Sequence, residues 1–134
     1  MISALLVLFF STAAAIHIYW AAGGRFGIGA VLPERNGQPL HKPSTVSTLL
    51  VAILFAAVAA LVLGNAGTLL FAFSWSGGLI KGIALLFALR AVGEFNYLGF
   101  FKRVRDSRFA RFDTLLYSPL CAAVACGLWA ISRP

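Results

Sequence analysis

The sequence predicts an all-α integral membrane protein, a four-helix bundle with both termini outside and its fourth helix kinked near Pro119. Three observations carry that expectation. The chain is 60% hydrophobic and only 11% charged, where a soluble domain carries roughly a quarter charged residues. Its mean hydropathy is +0.90. The charges are also clustered: long stretches contain none, and most cations fall in two short segments, the pattern of apolar spans joined by loops.

The first span is expected over about residues 2–22. Ile2 to Phe10 followed by Ser11-Thr12-Ala13-Ala14-Ala15 has some look of a secretory signal. No Lys or Arg precedes it, however, and the apolar run continues to Ala22, longer than a signal core of about 7–15 residues. Gly23-Gly24 ends it, since glycine tolerates the left-handed position after a helix. The second span, about 46–63, opens after Pro43 with the capping types Ser44-Thr45 and closes at Gly64-Asn65. A third, about 77–98, has Trp75 at its interface and Lys81 snorkelling outward, although apolar residues begin at Leu69. The fourth is expected over about 114–132. Spans of this size match a hydrocarbon core of about 30 Å at 1.5 Å per residue. Together they make residues 1–134 one transmembrane domain.

Orientation follows from the cations. The first loop carries Arg25, Arg35 and Lys42, and the third carries Lys102, Arg103, Arg105, Arg108 and Arg111. In a four-span chain these loops share a side, which the positive-inside rule makes cytoplasmic. Lys81 and Arg133 are the only cations left for the other side. The net charge of +7 therefore reads as topology and contact with anionic lipid, not as a nucleic-acid surface. The third loop interleaves Phe100, Phe101, Val104, Phe109 and Phe112 with its cations. That composition suits a segment lying in the membrane surface.

Helix packing has its own signature. Ala52, Ala56, Ala60 and Gly64 form a row of small residues, as do Gly78 and Gly82, and such rows let backbones approach closely in lipid. They would serve either the internal bundle or a homo-oligomer. The two cysteines, Cys121 and Cys126, point to different faces of one helix and make neither a redox pair nor a zinc site.

Polar groups inside spans carry the functional expectation, because an ionisable group at mid-bilayer costs about 2.5–3.5 kcal/mol. Arg90 and Glu94, four apart, would share a face of the third helix and pair. His17 lies near the cytoplasmic end of the first helix, with no second ligand at metal-binding spacing. Asp113-Thr114 has the form of an N-cap, and Ser118-Pro119 breaks the helix soon after Tyr117, leaving the Leu115 carbonyl unpaired. His17, Arg90, Glu94, Asp113 and Tyr117 would thus occupy one layer in the cytoplasmic third of three helices. The glycines of Gly23-Gly24-Arg25-Phe26-Gly27-Ile28-Gly29 imitate a phosphate loop but follow no strand, so the dinucleotide fingerprint fails.

The same residues carry a resemblance. His17-Ile18-Tyr19-Trp20 with Gly23-Gly24-Arg25-Phe26-Gly27, then Arg90-Ala91-Val92-Gly93-Glu94-Phe95, then Phe109-Ala110, Asp113 and Tyr117-Ser118-Pro119-Leu120-Cys121 resemble the DUF3995 family. That family comprises small bacterial four-span proteins of unknown function. The resemblance covers most of the chain, implies a multi-pass protein of the bacterial inner membrane, and supplies no reaction and no cofactor. The expectation from the residues is a polar pocket open to the cytoplasm that binds an amphipathic anion, a lipid head group or a quinone-like molecule. Arg90 would meet the anion, Glu94 and Asp113 would orient donors, and His17 or Tyr117 would handle a proton. Two rival expectations are an accessory or assembly subunit of a larger membrane complex and a dimeric transporter of small solutes.

Overall fold

A computed structural model describes residues 1–35, 38–67 and 75–132. The described chain is mostly helical. Helix α1 (Ile2–Ala21) is followed by a single turn, α2 (Ile28–Val31), and by a short antiparallel pair, β1 (Glu34–Arg35) and β2 (Gln38–Pro39). Helices α3 (Thr45–Asn65) and α4 (Ser76–Val92) come next. The last helical run consists of α5 (Arg108–Phe112), a π-helical turn (Asp113–Tyr117) and α6 (Ser118–Ile131) without interruption. Among the described residues, three stretches are long and apolar enough to cross a membrane: Ile2–Ala21, Thr45–Asn65 and Arg108–Ile131. Helix α4 has 17 residues, about 26 Å at 1.5 Å per residue.

Helices α1 and α3 match the first two expected spans to within two residues at each end. Ser44 caps α3 by accepting from the Ser47 N–H at 3.1 Å. The third helix is shorter than expected and the last one is longer. Helix α4 stops at Val92, not Leu98, because Gly93 takes the left-handed position (φ 90°) one residue on. Its start at Ser76 is one residue from the expected 77, and the apolar residues from 69 to 73 lie outside the described residues. The last helix begins at Arg108, not Thr114, because Ser107 is its cap and accepts from the Ala110 N–H at 3.0 Å. Near Pro119 the chain forms a π turn in which the Ser118 N–H reaches the Asp113 carbonyl, five residues back. Proline has no N–H for the fourth carbonyl behind it and its ring crowds that carbonyl. Widening the preceding turn by one residue accommodates both demands.

The chain divides into two compact units. One comprises Met1–Gly24, Pro43–Ala84 and Cys126–Pro134, the other Arg25–Lys42 and Leu85–Ala125. In the first, α1 packs on α3. Leu6, Phe10 and Ala14 are buried on α1, and Thr48, Ala52, Ala59 and Val62 on α3. The Phe10 and Phe55 rings meet at 6.0 Å between centroids. Ala56 and Ala60 are exposed, so the small-residue row read from the sequence is not the seam. Steps of four advance about 40° past a full turn and wander round the helix, whereas alternating steps of three and four keep to one face. Gly78 and Gly82 are likewise exposed. Asn65 ties the helix ends of this unit: its amide donates to the Ile131 carbonyl at 2.9 Å, and its oxygen accepts from Ser76 Oγ at 3.3 Å. A terminal carbonyl that lacks a helical partner is thereby satisfied.

This packing predicts a contrast between two apolar residues of α1. In mixed micelles, Phe10→Ala lowers unfolding stability by about 2 kcal/mol, essentially the cavity term, since lipid provides little transfer energy. Leu8→Ala, at a position 64% exposed, changes it by less than about 0.5 kcal/mol. Equal losses at both positions would mean that the α1–α3 seam is wrongly placed.

Candidate functional site

In the second unit a single carboxylate collects the polar groups. Asp113 is fully buried and stands at the start of the π turn. Its Oδ1 accepts from Arg90 Nη2 at 2.7 Å, and its Oδ2 accepts from the Gly99 backbone N–H at 2.8 Å and from Lys102 Nζ at 3.0 Å. Lys102 is buried as well. Its ammonium also donates to the Gly99 carbonyl at 3.0 Å and to Thr114 Oγ1 at 2.6 Å, which uses all three of its donors. Thr114 Oγ1 passes its own proton to the Ala110 carbonyl at 3.1 Å.

The segment between α4 and α5 is shaped to reach this carboxylate. After Val92 it loops out and returns, so that Phe100 donates its N–H to the Ala91 carbonyl at 2.9 Å. The two crossing points are Gly93 and Gly99, with φ of 90° and 85°. A Cβ on Gly93 would overlap the Leu98 carbonyl oxygen, and one on Gly99 would overlap the backbone of Val92 and Gly93. Only glycine suits both the conformation and the approach. The crossing leaves the Gly99 N–H directed at Asp113 and places Lys102 three residues further on.

Several expected roles change in this geometry. Glu94 is not the partner of Arg90, because the helix has ended before it. Its Oε1 instead accepts from the Tyr97 N–H at 2.6 Å within the loop. Arg90 lies in the last turn of α4, where a cation suits the helix dipole, and its carboxylate is Asp113. Asp113 is therefore no N-cap but an interior anchor. Lys102, grouped by sequence with the surface cations, is the most enclosed of them, while Arg103, Arg105, Arg108 and Arg111 are exposed. Tyr117 is half-buried and packs on Phe109 and Phe112, with centroids at 6.2 and 6.3 Å. His17 belongs to the first unit. There its Nδ1 donates to the Ala13 carbonyl at 2.7 Å, and its ring meets Phe55 and Trp20 at 5.2 and 5.0 Å.

Sequence reasoning missed Gly99, Lys102 and Ser118. The first had a legible signal, since two glycines flank Glu94-Phe95-Asn96-Tyr97-Leu98 and either one ends a helix. Lys102 sits in a run of cations that all look alike, and nothing local separates it. In the sequence Ser118 is legible only as half of a helix break. It is fully buried, and its Oγ has no hydrogen-bond partner among the described residues. Arg90 Nη1 is in the same position, although the arginine side chain as a whole is 31% exposed. No group of three or more potential metal ligands occurs among the described residues.

The balance of charge in this cluster is one-sided. Two cations, Arg90 and Lys102, face one anion. Lys102 has spent its donors inside the protein, so the spare donor of this ion cluster is on Arg90. Loop 1 reaches the same unit through Glu34, whose Oε1 accepts from the Arg108 N–H at 3.0 Å at the start of α5.

Lys102 and Arg103 should therefore behave as opposites. Lys102→Met leaves Asp113 with Arg90 as its one counter-ion and lowers unfolding stability by about 1.5–3 kcal/mol, the range for a lost hydrogen bond to a charged group. Arg103→Gln at the exposed neighbour changes it by less than about 0.5 kcal/mol. Denaturation in mixed micelles reads both, and two similar small effects would rule out the clamp.

A family model described as a protein of unknown function (DUF3995) matches residues 10–128. No curated protein and no solved structure matches the chain.

Proposed function

We propose, on the premise that this chain belongs to the DUF3995 family, that it is a membrane-embedded receptor for an amphipathic anion held at Arg90. Helix α4 serves as the third of four spans in a single transmembrane domain. Its 17 residues stand at the short end of what crosses a bilayer. The first and third loops, which carry eight cations, lie on the cytoplasmic side, and both termini face outward. The membrane is the bacterial inner membrane.

The observation that carries the reading is the unpartnered, buried Nη1 of Arg90 in a cluster with one more cation than anion. A guanidinium offers five donors in a planar fork that matches a carboxylate or a phosphate. Asp113 engages one edge of it and fixes its direction, which makes Asp113 a positioning residue. The buried Ser118 hydroxyl is a second donor without a partner in the same unit. Native structures seldom leave such groups unpaired without an occupant or a use. The π turn beside them supports the reading, since such turns gather at functional sites. An unbalanced positive charge favours an anionic head group over a neutral quinone. Glu94 and His17 have partners of their own, the Tyr97 N–H and the Ala13 carbonyl.

Lipidomics and native mass spectrometry of protein in gentle detergent test this. Arg90→Lys keeps the charge facing Asp113 but removes the fork, and should lose co-purifying anionic ligand at least tenfold with the fold retained. Ser118→Ala gives a sign test. With a ligand bound to the hydroxyl, the substitution weakens retention. With an empty site it removes a buried unsatisfied group and raises stability by about 1 kcal/mol. Unchanged ligand content in Arg90→Lys, or stabilisation by Ser118→Ala without loss of ligand, would defeat the proposal. A stoichiometric foreign subunit in the spectrum would instead support an accessory role.

A further inference from the structure

The loop that closes on Asp113 displays a surface that the Arg90 site does not use. Phe95, Phe100 and Phe101 are 55%, 41% and 63% exposed. Phe95 and Phe101 stand together, 6.5 Å between ring centroids. Adjacent aromatic exposure of this kind is unusual on a water-facing loop. Phe95 also adopts a left-handed backbone (φ 68°), the sole non-glycine residue among those described to do so. A bulky side chain is strained there, so the fold holds this residue against its preference. The carbonyl of Phe95 is tied to the Arg103 N–H at 3.1 Å, and that of Asn96 to the Val104 N–H at 2.9 Å. The display is thus built on a closed loop anchored through Gly99 and Lys102.

Immediately beyond the rings the surface becomes cationic. Arg103, Arg105, Arg108 and Arg111 are all exposed, with Asp106 the one exposed acid between them. The Arg108 guanidinium lies over the Phe112 ring at 5.9 Å, so apolar and cationic groups are interleaved, not segregated. We infer that residues 93–111 form an interfacial shelf seated in the anionic leaflet of the host membrane. Phe95 and Phe101 enter the acyl boundary while Arg103 and Arg111 meet lipid phosphates. Aromatic rings inward and arginines at head-group level are what an anionic membrane surface recognises. Lys102 is not part of the shelf, because it is turned into the protein. The inference rests on the membrane-spanning reading and is independent of a ligand at Arg90.

The test uses the full chain in vesicles of phosphatidylcholine with and without phosphatidylglycerol, in a Cys121→Ser, Cys126→Ser background. Phe101→Cys carries a nitroxide label, and Leu54→Cys, at an exposed position of α3, carries the control label. The expected result is a Phe101 label open to oxygen and shielded from a water-soluble nickel chelate. Arg103→Gln and Arg111→Gln should each reduce the preference for spin-labelled phosphatidylglycerol over phosphatidylcholine by about fivefold. A nickel-accessible label at 101 with an oxygen-accessible label at 54 overturns the shelf alone. A label at 101 closed to both reagents means that protein covers this surface, which also overturns it. A nickel-accessible label at 54 removes the spanning reading and the shelf together. An unchanged lipid preference in both arginine variants refutes the role given to the phosphates.

Discussion

The second unit depends on one buried carboxylate. Asp113 receives a guanidinium from α4, a backbone N–H from the intervening loop and an ammonium from the same loop, and it is itself carried by the last helical run. Three separate pieces of chain are thereby fixed to one side chain. Where water is scarce, such an arrangement is close to obligatory: a carboxylate without partners is costly, and so is each cation left alone. The cluster persists because its members satisfy one another, and the loss of Asp113 would leave both cations without their shared counter-ion.

Backbone geometry makes the carboxylate reachable. Gly93 and Gly99 let the loop cross itself closely enough to deliver the Gly99 N–H and, one turn later, the Lys102 ammonium. On the other side, the π turn that answers Pro119 begins at Asp113 itself, so the proline and the anchor belong to one local solution. The asymmetry of the cluster has a consequence for function. Lys102 is saturated within the protein, and Arg90 is not, so the one cation with spare donors is also the one that retains partial exposure. The shelf of exposed phenylalanines and arginines stands on the same loop, and the clamp that binds Asp113 therefore also sets what the loop presents outward.

Much of this is legible in the sequence. The apolar runs at residues 2–22 and 46–63 correspond closely to α1 and α3, because length and hydropathy are properties of contiguous sequence. Arg90, Asp113 and Tyr117 were recognisable as residues of interest, since polarity within an apolar run stands out wherever it falls. Their partners were not legible. Arg90 and Glu94 have helical spacing, and the pairing that this spacing suggests disappears once Gly93 stops the helix. Lys102 is chemically indistinguishable from Arg103 or Arg105 in a list of cations. His17 looked like a member of the same layer, and its ring is engaged with Phe55 and Trp20 in the first unit.

Sequence alone determined where the chain is apolar, which charges interrupt it and which family it resembles, since each of these is a local property. Tertiary structure decided which cation is buried, which carboxylate holds it and where two helices begin and end. Those outcomes depend on a loop returning to within hydrogen-bond distance of a residue far along the chain. No periodicity or composition records such a return, because the bond between Arg90 and Asp113 is made across 23 residues and exists only after the two glycines have turned the backbone.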